Sequence, residues 1–438
     1  MSETIAAIAT PAGKGGVAII RISGDNAYDC LKCVFRKENM EARKMYYGGV
    51  YDGDVLIDKC LAVRFDKGAS YTGEPTAEIQ CHGGYASAKD ILEAVLKNGA
   101  RMAQSGEFTK RAFLNGRIDL SQAEAVGDMI DAETKSASRA AARLLSGSLG
   151  KKISEFQDDI KELLTAIEAG IDYPDEIDEQ HTSESIIELV NLMLPQIEEL
   201  ISGYNKGRIT KEGLRVCLIG KPNAGKSSVM NALLGDERAI VTSIAGTTRD
   251  TLHEMLDFDG IRVHLYDTAG IRESDDIIEQ AGVKRSKLTA EESDMVLYVV
   301  DSAEEVSFID VSNFKDKKGL VIFNKADIAC AEETELPNGW ERADVSALTG
   351  AGIEKISDFI RREAKENDAS TSLTITSERH YEALLKAKES LENCLECLPP
   401  DILSIDLVNA WTALGVITGQ TVTEDIVNNI FEKFCVGK

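Results

Sequence analysis

The sequence predicts a multidomain α/β protein with an amino-terminal α+β domain, an all-α central domain, and a third α/β domain inserted into the all-α one. Length is one reason, because 438 residues exceed what a single hydrophobic core usually holds. Short β-branched runs alternate with helical patterns up to about residue 116. Long helical patterns then flank a strand, glycine-rich loop and helix on both sides, which is typical of a domain insertion.

The amino-terminal domain, residues 1–118, is predicted by the runs GGVAIIRIS, VLIDKCLAVRF and AEIQCHG and by helical patterns such as YASAKDILEAVLKNG. We expect the helical domain in two parts, residues 119–212 and 375–438, with the inserted domain at 213–374. The first part opens with a capping box from Ser121 to Glu124 and stays helical for nearly fifty residues. The segment SGSLG at 146–150 either interrupts this helix or lies within it. A second helical stretch ends in the linker GYNKG before Leu214, and three helical patterns follow Ser377.

A phosphate-binding loop is predicted at residues 220–227, where GKPNAGKS matches G-x-x-x-x-G-K-[ST] between the strand LRVCLI and the helix SVMNALL. The glycines let backbone N–H groups surround a β-phosphate. Lys226 can bring its charge to the β- and γ-phosphate oxygens, and the Ser227 hydroxyl suits Mg²⁺ at the positive end of the helix. The segment therefore indicates a nucleotide site of the P-loop type.

The base is predicted by VIFNKAD, which places Asn324, Lys325 and Asp327 at the carboxyl end of a strand, where ligands bind in open α/β sheets. The Asp327 carboxylate can accept hydrogen bonds from N1 and N2 of guanine but would face an acceptor on adenine. Further along, Ser346, Ala347 and Leu348 can offer a backbone N–H to guanine O6. Ser-Ala-Leu before a glycine-rich turn is also a common loop sequence.

Between these segments lie residues suited to sensing a γ-phosphate. VHLYDTAG places Asp267 at a strand end with Gly270 three residues later, and GTTRD offers Thr247 and Thr248. Asp267 can hold Mg²⁺ through a water, the Gly270 N–H can contact the γ-phosphate, and Thr248 can complete the metal shell while that phosphate is present. The order of the four motifs predicts a Ras-like GTPase domain that binds GTP and hydrolyses it.

The residue that orients the attacking water differs from the Ras pattern. Ras-type enzymes have a glutamine directly after this DxxG segment, but Ile271 stands there in this chain and cannot orient a water. The acidic loop that follows offers other groups that can act through a water chain. These groups are Glu273, Asp275, Asp276 and Glu279.

Together the motifs predict a set of GTP contacts. The set comprises Asn223, Ala224, Gly225, Lys226, Ser227, Ser228, Thr242, Ser243, Ile244, Ala245, Gly246, Thr247, Thr248, Asp267, Thr268, Ala269, Gly270, Asn324, Lys325, Asp327, Ser346, Ala347 and Leu348.

Hydropathy, cysteine content and charge indicate the cellular compartment and the kind of partner that we expect. The sequence has no apolar run of the ~20 residues needed to span a bilayer and no signal-peptide pattern at its start, so we expect a cytoplasmic protein without a membrane partner. An odd total of nine cysteines fits reduced thiols there. The formal charge of −25 argues against a broad nucleic-acid surface, although it leaves room for a local basic patch.

Three separated segments carry a family resemblance: GGVAIIRISG near the start, NGRIDLSQAEAV at 115–126, and FCVGK at 434–438. Over its entire length the chain resembles the MnmE (TrmE) family of tRNA-modification GTPases. The resemblance implies a homodimer that acts with an FAD-dependent partner, MnmG, in a heterotetramer on tRNA. It also implies addition of an aminomethyl or carboxymethylaminomethyl group at C5 of the wobble uridine, with the one-carbon unit supplied by 5,10-methylene- or 5-formyltetrahydrofolate.

The same resemblance implies roles for individual residues. The amino-terminal domain would bind folate and form the dimer, with folate contacts at Arg21, Glu78, Arg117 and Lys438. A carboxylate such as Glu78 can pair with the amide and amino edge of a pterin, and a glutamyl tail favours Arg or Lys.

In the GTPase domain the resemblance implies dependence on K⁺, whose charge beside the phosphates replaces an arginine finger. Potassium would be held by Asn223, Thr242, Ile244 and Thr247, and Mg²⁺ by Ser227 and Thr248. The catalytic residues would be Lys226, Thr248, Glu279 as the water-orienting acid, and Cys435. The residues themselves leave Cys435 open as a nucleophile or a packing thiol, with packing slightly favoured.

Two other functions fit parts of the sequence. A regulatory GTPase scaffold without one-carbon chemistry of its own would share the nucleotide motifs, and folate binding would distinguish it from the modification enzyme. A ribosome-assembly GTPase predicts a basic RNA-binding domain, which the charge of −25 disfavours.

Overall fold

The computed structural model describes residues 3–172, 179–236, 238–239, 253–267, 292–303, 317–330, 334–369, 373–396 and 399–437, and elements are numbered along this part of the chain. The chain divides into two compact units. The first unit comprises Met1–Gly127, Leu144–Pro195 and Glu382–Lys438, and the second comprises Asp128–Arg143 and Gln196–Tyr381.

A six-stranded sheet organises the start of the first unit. Its strands are β1 (Ile5–Ile8), β2 (Ala18–Ser23), β3 (Tyr46–Asp52), β4 (Val55–Phe65), β5 (Thr76–Cys81) and β6 (Arg101–Met102). The spatial order is β3-β4-β5-β2-β1-β6, and neighbours are antiparallel except for β1 and β6. The predicted α+β character of this segment is confirmed.

Alternation along β2 and β5 gives this sheet two different faces. Ile20, Ile22 and Ile79 face a core formed with the helices α1 (Ala27–Phe35) and α2 (Tyr85–Lys97). The opposite face has a small cluster around Phe108, which belongs to α3 (Glu107–Leu114). Arg21 and Glu78 alternate with the core residues along their strands, so they point to that opposite face. They are directly opposite each other across β2 and β5.

The helical segments contain α4 (Leu120–Asp131), α5 (Lys135–Leu145), α6 (Ser148–Asp172), α7 (Glu179–Glu212), α10 (Glu378–Asn393), α11 (Pro400–Thr418) and α12 (Glu424–Glu432). In the first unit α6 packs along α11, where the Gln157 side chain donates to the carbonyl oxygen of Trp411. The three helical patterns predicted after Ser377 are confirmed.

The long helix predicted after Ser121 is three helices, interrupted at 132–134 and at 146–147. The predicted capping box is also shifted. Asp119 and Gln122 exchange the two hydrogen bonds of a capping box, from Gln122 N to Asp119 Oδ1 (2.9 Å) and from Asp119 N to Gln122 Oε1 (3.0 Å). Ser121 is buried inside the first turn.

The predicted GYNKG linker is wrong as well, because α7 continues through it and ends at Glu212, directly before Gly213, whose φ of 98° is a helix-ending conformation. Gly207 is tolerated within α7 because the backbone of Ile375 packs against it, and a Cβ there would collide with the Ile375 carbonyl oxygen.

A seven-stranded sheet organises the second unit. Its strands are β7 (Leu214–Gly220), β8 (Arg238–Ala239), β9 (His253–Phe258), β10 (Ile261–Asp267), β11 (Met295–Asp301), β12 (Lys318–Asn324) and β13 (Glu341–Asp344), in the order β13-β12-β11-β7-β10-β9-β8. The five strands from β13 to β10 are parallel, and β9 and β8 extend the sheet antiparallel. The mostly parallel sheet confirms the α/β character expected of the inserted domain.

Apolar clusters lie on both faces of this sheet. Helices α8 (Lys226–Asp236) and α9 (Ile353–Glu366) contribute Val229, Leu233 and Ile356 to the larger core. On the other face a cluster around Tyr298 and Phe323 includes Trp340, whose ring packs where a side chain at Gly319 would stand. In the described part of the chain, no helix combines the length and apolar character needed to cross a membrane.

Candidate nucleotide-binding site

The loop between β7 and α8 has the geometry expected of a phosphate-binding loop. Asn223 and Gly225 adopt positive φ angles of 64° and 93°, which curl the backbone between the strand and the helix. Gly225 admits no side chain, because a Cβ would collide with Asn324 Nδ2. Lys226 Nζ donates to the carbonyl oxygens of Gly220 (2.9 Å) and Lys221 (2.8 Å). The ammonium is therefore held at the mouth of the loop, and burial lowers its pKa from the ordinary value.

Asn324, the last residue of β12, joins two loops of the candidate site. Its Nδ2 donates to the carbonyl oxygen of Ala224 in the phosphate-binding loop (3.0 Å), and its Oδ1 accepts from the N–H of Ala347 (3.0 Å). The Asn324 side chain and Ala224 are buried, so the hydrogen bond between them does not compete with bulk water, whereas the one from Ala347 is half-buried. Asn324 thus fixes the phosphate-binding loop and the segment from Ser346 to Leu348 against one another.

The residues predicted to bind the base lie at the same sheet edge. Lys325 has a φ of 66°, and its Nζ lies 2.5 Å from Asp301 Oδ2 at the end of β11. This hydrogen bond lowers the pKa of Asp301. The side chain of Asp327 is exposed, as is Leu348, so the Asp327 carboxylate is accessible to a ligand.

Two of the residues predicted near Mg²⁺ meet at the start of α8. Ser227 Oγ donates to Asp267 Oδ2 over 2.8 Å, although 40 residues separate them in sequence. They meet because β7 and β10 are adjacent parallel strands. Asp267 is the last residue of β10, and Ser227 comes after the loop at the carboxyl end of β7. A hydroxyl and a carboxylate at this spacing fit Mg²⁺, which prefers oxygen ligands and keeps several waters.

A second cluster lies on the sheet face of the first unit that bears Phe108. Arg21 Nε donates to Glu78 Oε1 (2.9 Å), and the guanidinium lies 5.5 Å from the centroid of the Tyr71 ring. Arg117 is brought beside the same loop, since its Cγ is 3.2 Å from the position of a Cβ at Gly73. The structure therefore brings three of the predicted folate residues around residues 71–73.

The carboxyl-terminal segment reaches this part of the first unit. Val436 forms a β-bridge with Ser105, and the Gly106 N–H donates to the Cys435 carbonyl oxygen (3.4 Å). Gly437 lies against Ile8, next to Ala7, whose β-partner is Arg21. The Cys435 thiol is exposed, which contradicts the packing role favoured for it by the sequence.

Comparison with known proteins decides the family. A family model described as the MnmE helical domain matches residues 120–435, and a model described as the GTP-binding protein TrmE N-terminus matches residues 4–117. The chain belongs to the MnmE family. Its predicted resemblance to this family is confirmed.

Relatives in the MnmE family match the chain from end to end. The protein named tRNA modification GTPase MnmE from Clostridioides difficile (strain 630) is 42% identical over 457 residues, with 100% of both chains covered. The protein of the same name from Natranaerobius thermophilus is 40% identical over 458 residues, covering 100% of this chain and 99% of that one.

Several residues that the nucleotide motifs or the MnmE resemblance assign to the site lie outside the described part of the chain. They are Thr242, Ser243, Ile244, Ala245, Gly246, Thr247, Thr248, Thr268, Ala269, Gly270, Glu273, Asp275, Asp276, Glu279 and Lys438.

Two residues that contact the predicted site residues of this MnmE-family chain were not predicted from the sequence. Asp301 follows the β-branched run VLYVV at the same sheet edge as Asp327, and that position alone could have signalled it. No sequence pattern indicates Tyr71, because its contact with the Arg21 guanidinium depends on how the loop between β4 and β5 folds back.

Proposed function

We propose that this chain is a GTP hydrolase that acts in tRNA modification. The observation that carries the proposal is the bridge from Asn324 to Ala224 and Ala347, which ties the phosphate-binding loop to the loop proposed to read guanine O6. Asp327 would accept from guanine N1 and N2, and Lys226 would balance the phosphate charge. A site that joins phosphate and base recognition in this way suits a nucleotide that is held while its terminal phosphate is removed.

In this proposal Ser227 and Thr248 would bind Mg²⁺, and Asp267 would hold it through a water. The bound metal would neutralise charge that develops on the phosphate oxygens. Asn223, Thr242, Ile244 and Thr247 would hold K⁺, and the left-handed backbone at Asn223 is a conformation that asparagine tolerates better than most residues. Glu279 would orient the attacking water.

The proposed hydrolysis is tested by steady-state turnover of GTP and ATP by the full chain in Mg²⁺ with either K⁺ or Na⁺. We expect turnover that prefers GTP and K⁺. Glu279→Ala should lower kcat strongly with little change in GTP affinity, because a water-orienting group acts in the transition state. Glu273→Ala in the same acidic loop is the matched control and should behave like the wild type. Equal loss in both variants, or loss of affinity with loss of kcat, would reject the role of Glu279.

We further propose that the first unit binds a tetrahydrofolate carrying the one-carbon unit, as 5,10-methylene- or 5-formyltetrahydrofolate. The paired Arg21 and Glu78, the nearby Arg117 and the docked segment ending at Gly437 support this placement, and Lys438 would be the fourth contact. Glu78 would use the carboxylate oxygen that Arg21 does not engage. The alternative, a regulatory GTPase scaffold, predicts GTP hydrolysis without folate binding.

Folate binding by the full chain separates these alternatives. Isothermal titration with 5-formyltetrahydrofolate should show binding that Arg21→Ala abolishes. Lys89→Ala on α2, which packs on the opposite face of the sheet, should leave it unchanged. Absence of binding in the wild type would favour the scaffold.

We propose a cytoplasmic homodimer formed through the amino-terminal domain. Strand β3 is at the sheet edge, and the cross-strand pair Tyr47 and Leu61 is 68% and 39% exposed, with Val55 and Leu56 also exposed nearby. Uncovered apolar side chains on an edge hairpin favour an interface. Tyr47→Asp should shift sedimentation from dimer to monomer.

The proposed reaction places an aminomethyl or carboxymethylaminomethyl group at C5 of the wobble uridine. It requires the FAD-dependent partner MnmG, in a heterotetramer with this chain, and tRNA as substrate. The four segments 1–118, 119–212, 213–374 and 375–438 are the proposed domains for this work.

A further inference from the structure

Strand β10 of the second unit is contacted by residues 128–143 on the face opposite the larger core. Along β10, Val263 and Leu265 face the larger core, so Arg262, His264 and Tyr266 project from the other face. Residues 128–143 belong to the same compact unit, and Glu133 from this segment pairs with Arg262 (Oε2 to Nη2, 2.8 Å).

The turn between β9 and β10 is held close to this ion pair. Asp259 and Gly260 have positive φ angles of 54° and 94°, which makes a tight two-residue hairpin turn. A Cβ at Gly260 would lie 3.4 Å from Ser136 Oγ, so the start of α5 packs on the turn. On its other side Lys365 Nζ of α9 lies 3.0 Å from Asp259. The hairpin end of β10 is therefore fixed from two directions.

A cleft separates this face of β10 from part of the helical segment, and beyond Arg262 the strand is instead contacted by α7, where His264 Nε2 lies 2.8 Å from the Glu212 carbonyl oxygen. The cleft of ≈ 400 Å³ is lined by Ala137, Ala140 and Ala141 from the helical segment, and by Arg262, His264 and Tyr266 from the strand. The small alanine side chains leave this space next to Tyr266, which immediately precedes Asp267. Restraint from residues 128–143 is thus concentrated at Arg262 and the turn.

The position of β10 matters because its last residue contacts the candidate metal site. Asp267 Oδ2 accepts from Ser227 Oγ (2.8 Å), and Asp267 lies five positions after Arg262, about 16 Å along a strand. A strand paired on both edges moves as a unit, so a shift at the hairpin end is transmitted to Asp267.

We infer that Glu133 and Arg262 are positioning residues that hold Asp267 against the Mg²⁺ site, and this inference rests on the proposed GTP hydrolysis. The Arg262 side chain is 18% exposed and Glu133 is 33% exposed. In the described part of the chain the buried Nε of Arg262 has no hydrogen-bond partner. Removing Glu133 would leave a largely buried cation without its counter-charge, so the hairpin would shift to solvate it.

The test measures the Mg²⁺ concentration that gives half-maximal GTP turnover in the full chain. Glu133→Gln and Arg262→Gln should each raise it about fivefold, the low end of couplings between sites. GDP affinity measured in EDTA should stay within twofold of wild type, because the guanine contacts at Asn324 and Asp327 do not involve β10. The charge-reversed double variant Glu133→Arg with Arg262→Glu should recover most of the loss.

A matched control uses an exposed ion pair in the same unit, Arg362 with Glu341, where Glu341→Gln should leave the Mg²⁺ requirement unchanged. If Glu133→Gln lowers the melting temperature but not the Mg²⁺ response, the pair is merely structural and the inference fails. It fails equally if the effects of the single variants simply add in the double variant. A wild-type chain that binds Mg²⁺ and GDP but never hydrolyses GTP would instead overturn the proposed function.

Discussion

Replacing Asn324 by alanine should uncouple phosphate binding from base binding. The change removes the hydrogen bonds to the Ala224 carbonyl and from the Ala347 N–H, both 3.0 Å long. Losing the hydrogen bond to the half-buried Ala347, whose N–H water can reach, costs about 1 kcal/mol, and leaving the buried Ala224 carbonyl unpaired costs about 1–3 kcal/mol. Where GDP binding requires both loops to be ordered, we expect about 2–4 kcal/mol in total, or roughly 30- to 1,000-fold weaker GDP binding.

The assay is titration of a fluorescent GDP analogue into the full chain at fixed Mg²⁺. Asn324→Asp is the sharper variant, since it keeps the acceptor for Ala347 and turns the donor toward Ala224 into a second acceptor. Asn367→Ala is the control, because Asn367 Nδ2 donates to the Glu363 carbonyl oxygen at the end of α9. If Asn324→Ala binds GDP within threefold of wild type, the bridge does not organise the site and the reasoning is refuted.

Three other changes test separate parts of the molecule. Asp327→Asn should weaken GDP binding and move preference toward xanthine nucleotides, whereas unchanged GDP affinity would exclude Asp327 as the guanine acceptor. Burial alone would raise the pKa of Glu107, but hydrogen bonds from Arg101, a backbone N–H and Arg111 bring it to about 2. Because the pKa is lower in the folded protein, Glu107 contributes to the free energy of unfolding at pH values above its ordinary pKa of 4.5. This contribution is lost as the pH falls toward 2. Urea unfolding should therefore show a smaller loss over that window in Glu107→Gln, and parallel pH profiles would contradict the ion pairs. Deleting residues 435–438 should abolish wobble-uridine modification while GTP turnover continues, and normal modification would remove Lys438 and Cys435 from the reaction.

The nucleotide loops could be predicted from the sequence because each depends on local patterns. The strands before Lys226, Asp267 and Asn324 are β-branched and apolar, and a parallel sheet places their carboxyl ends at one edge. With that topology, the positions of Ser227 and Asp267 at the carboxyl ends of two strands predict that they lie at the same edge of the sheet.

Helix boundaries could not be predicted in the same way. Asp119 and Ser121 both precede a Glu or Gln by three residues, so the sequence offered two overlapping capping boxes, and burial of Ser121 decided between them. Gly207 suggested a linker, but tertiary packing against Ile375 keeps it helical. The ion pair of Arg262 with Glu133 joins residues 129 positions apart, and no pattern in either segment indicates it.

The distribution of tryptophan gives the molecule two built-in optical reporters. The chain contains two tryptophans, Trp411 on α11 in the first unit and Trp340 beside Gly319 in the second. Because Trp340 is buried against strand β12, its emission should redden and weaken when that sheet loses its packing. Changing either tryptophan to phenylalanine leaves an emission signal from one unit alone. Comparing the denaturation midpoints of the two single-tryptophan proteins would show whether the units unfold in one cooperative step or in sequence.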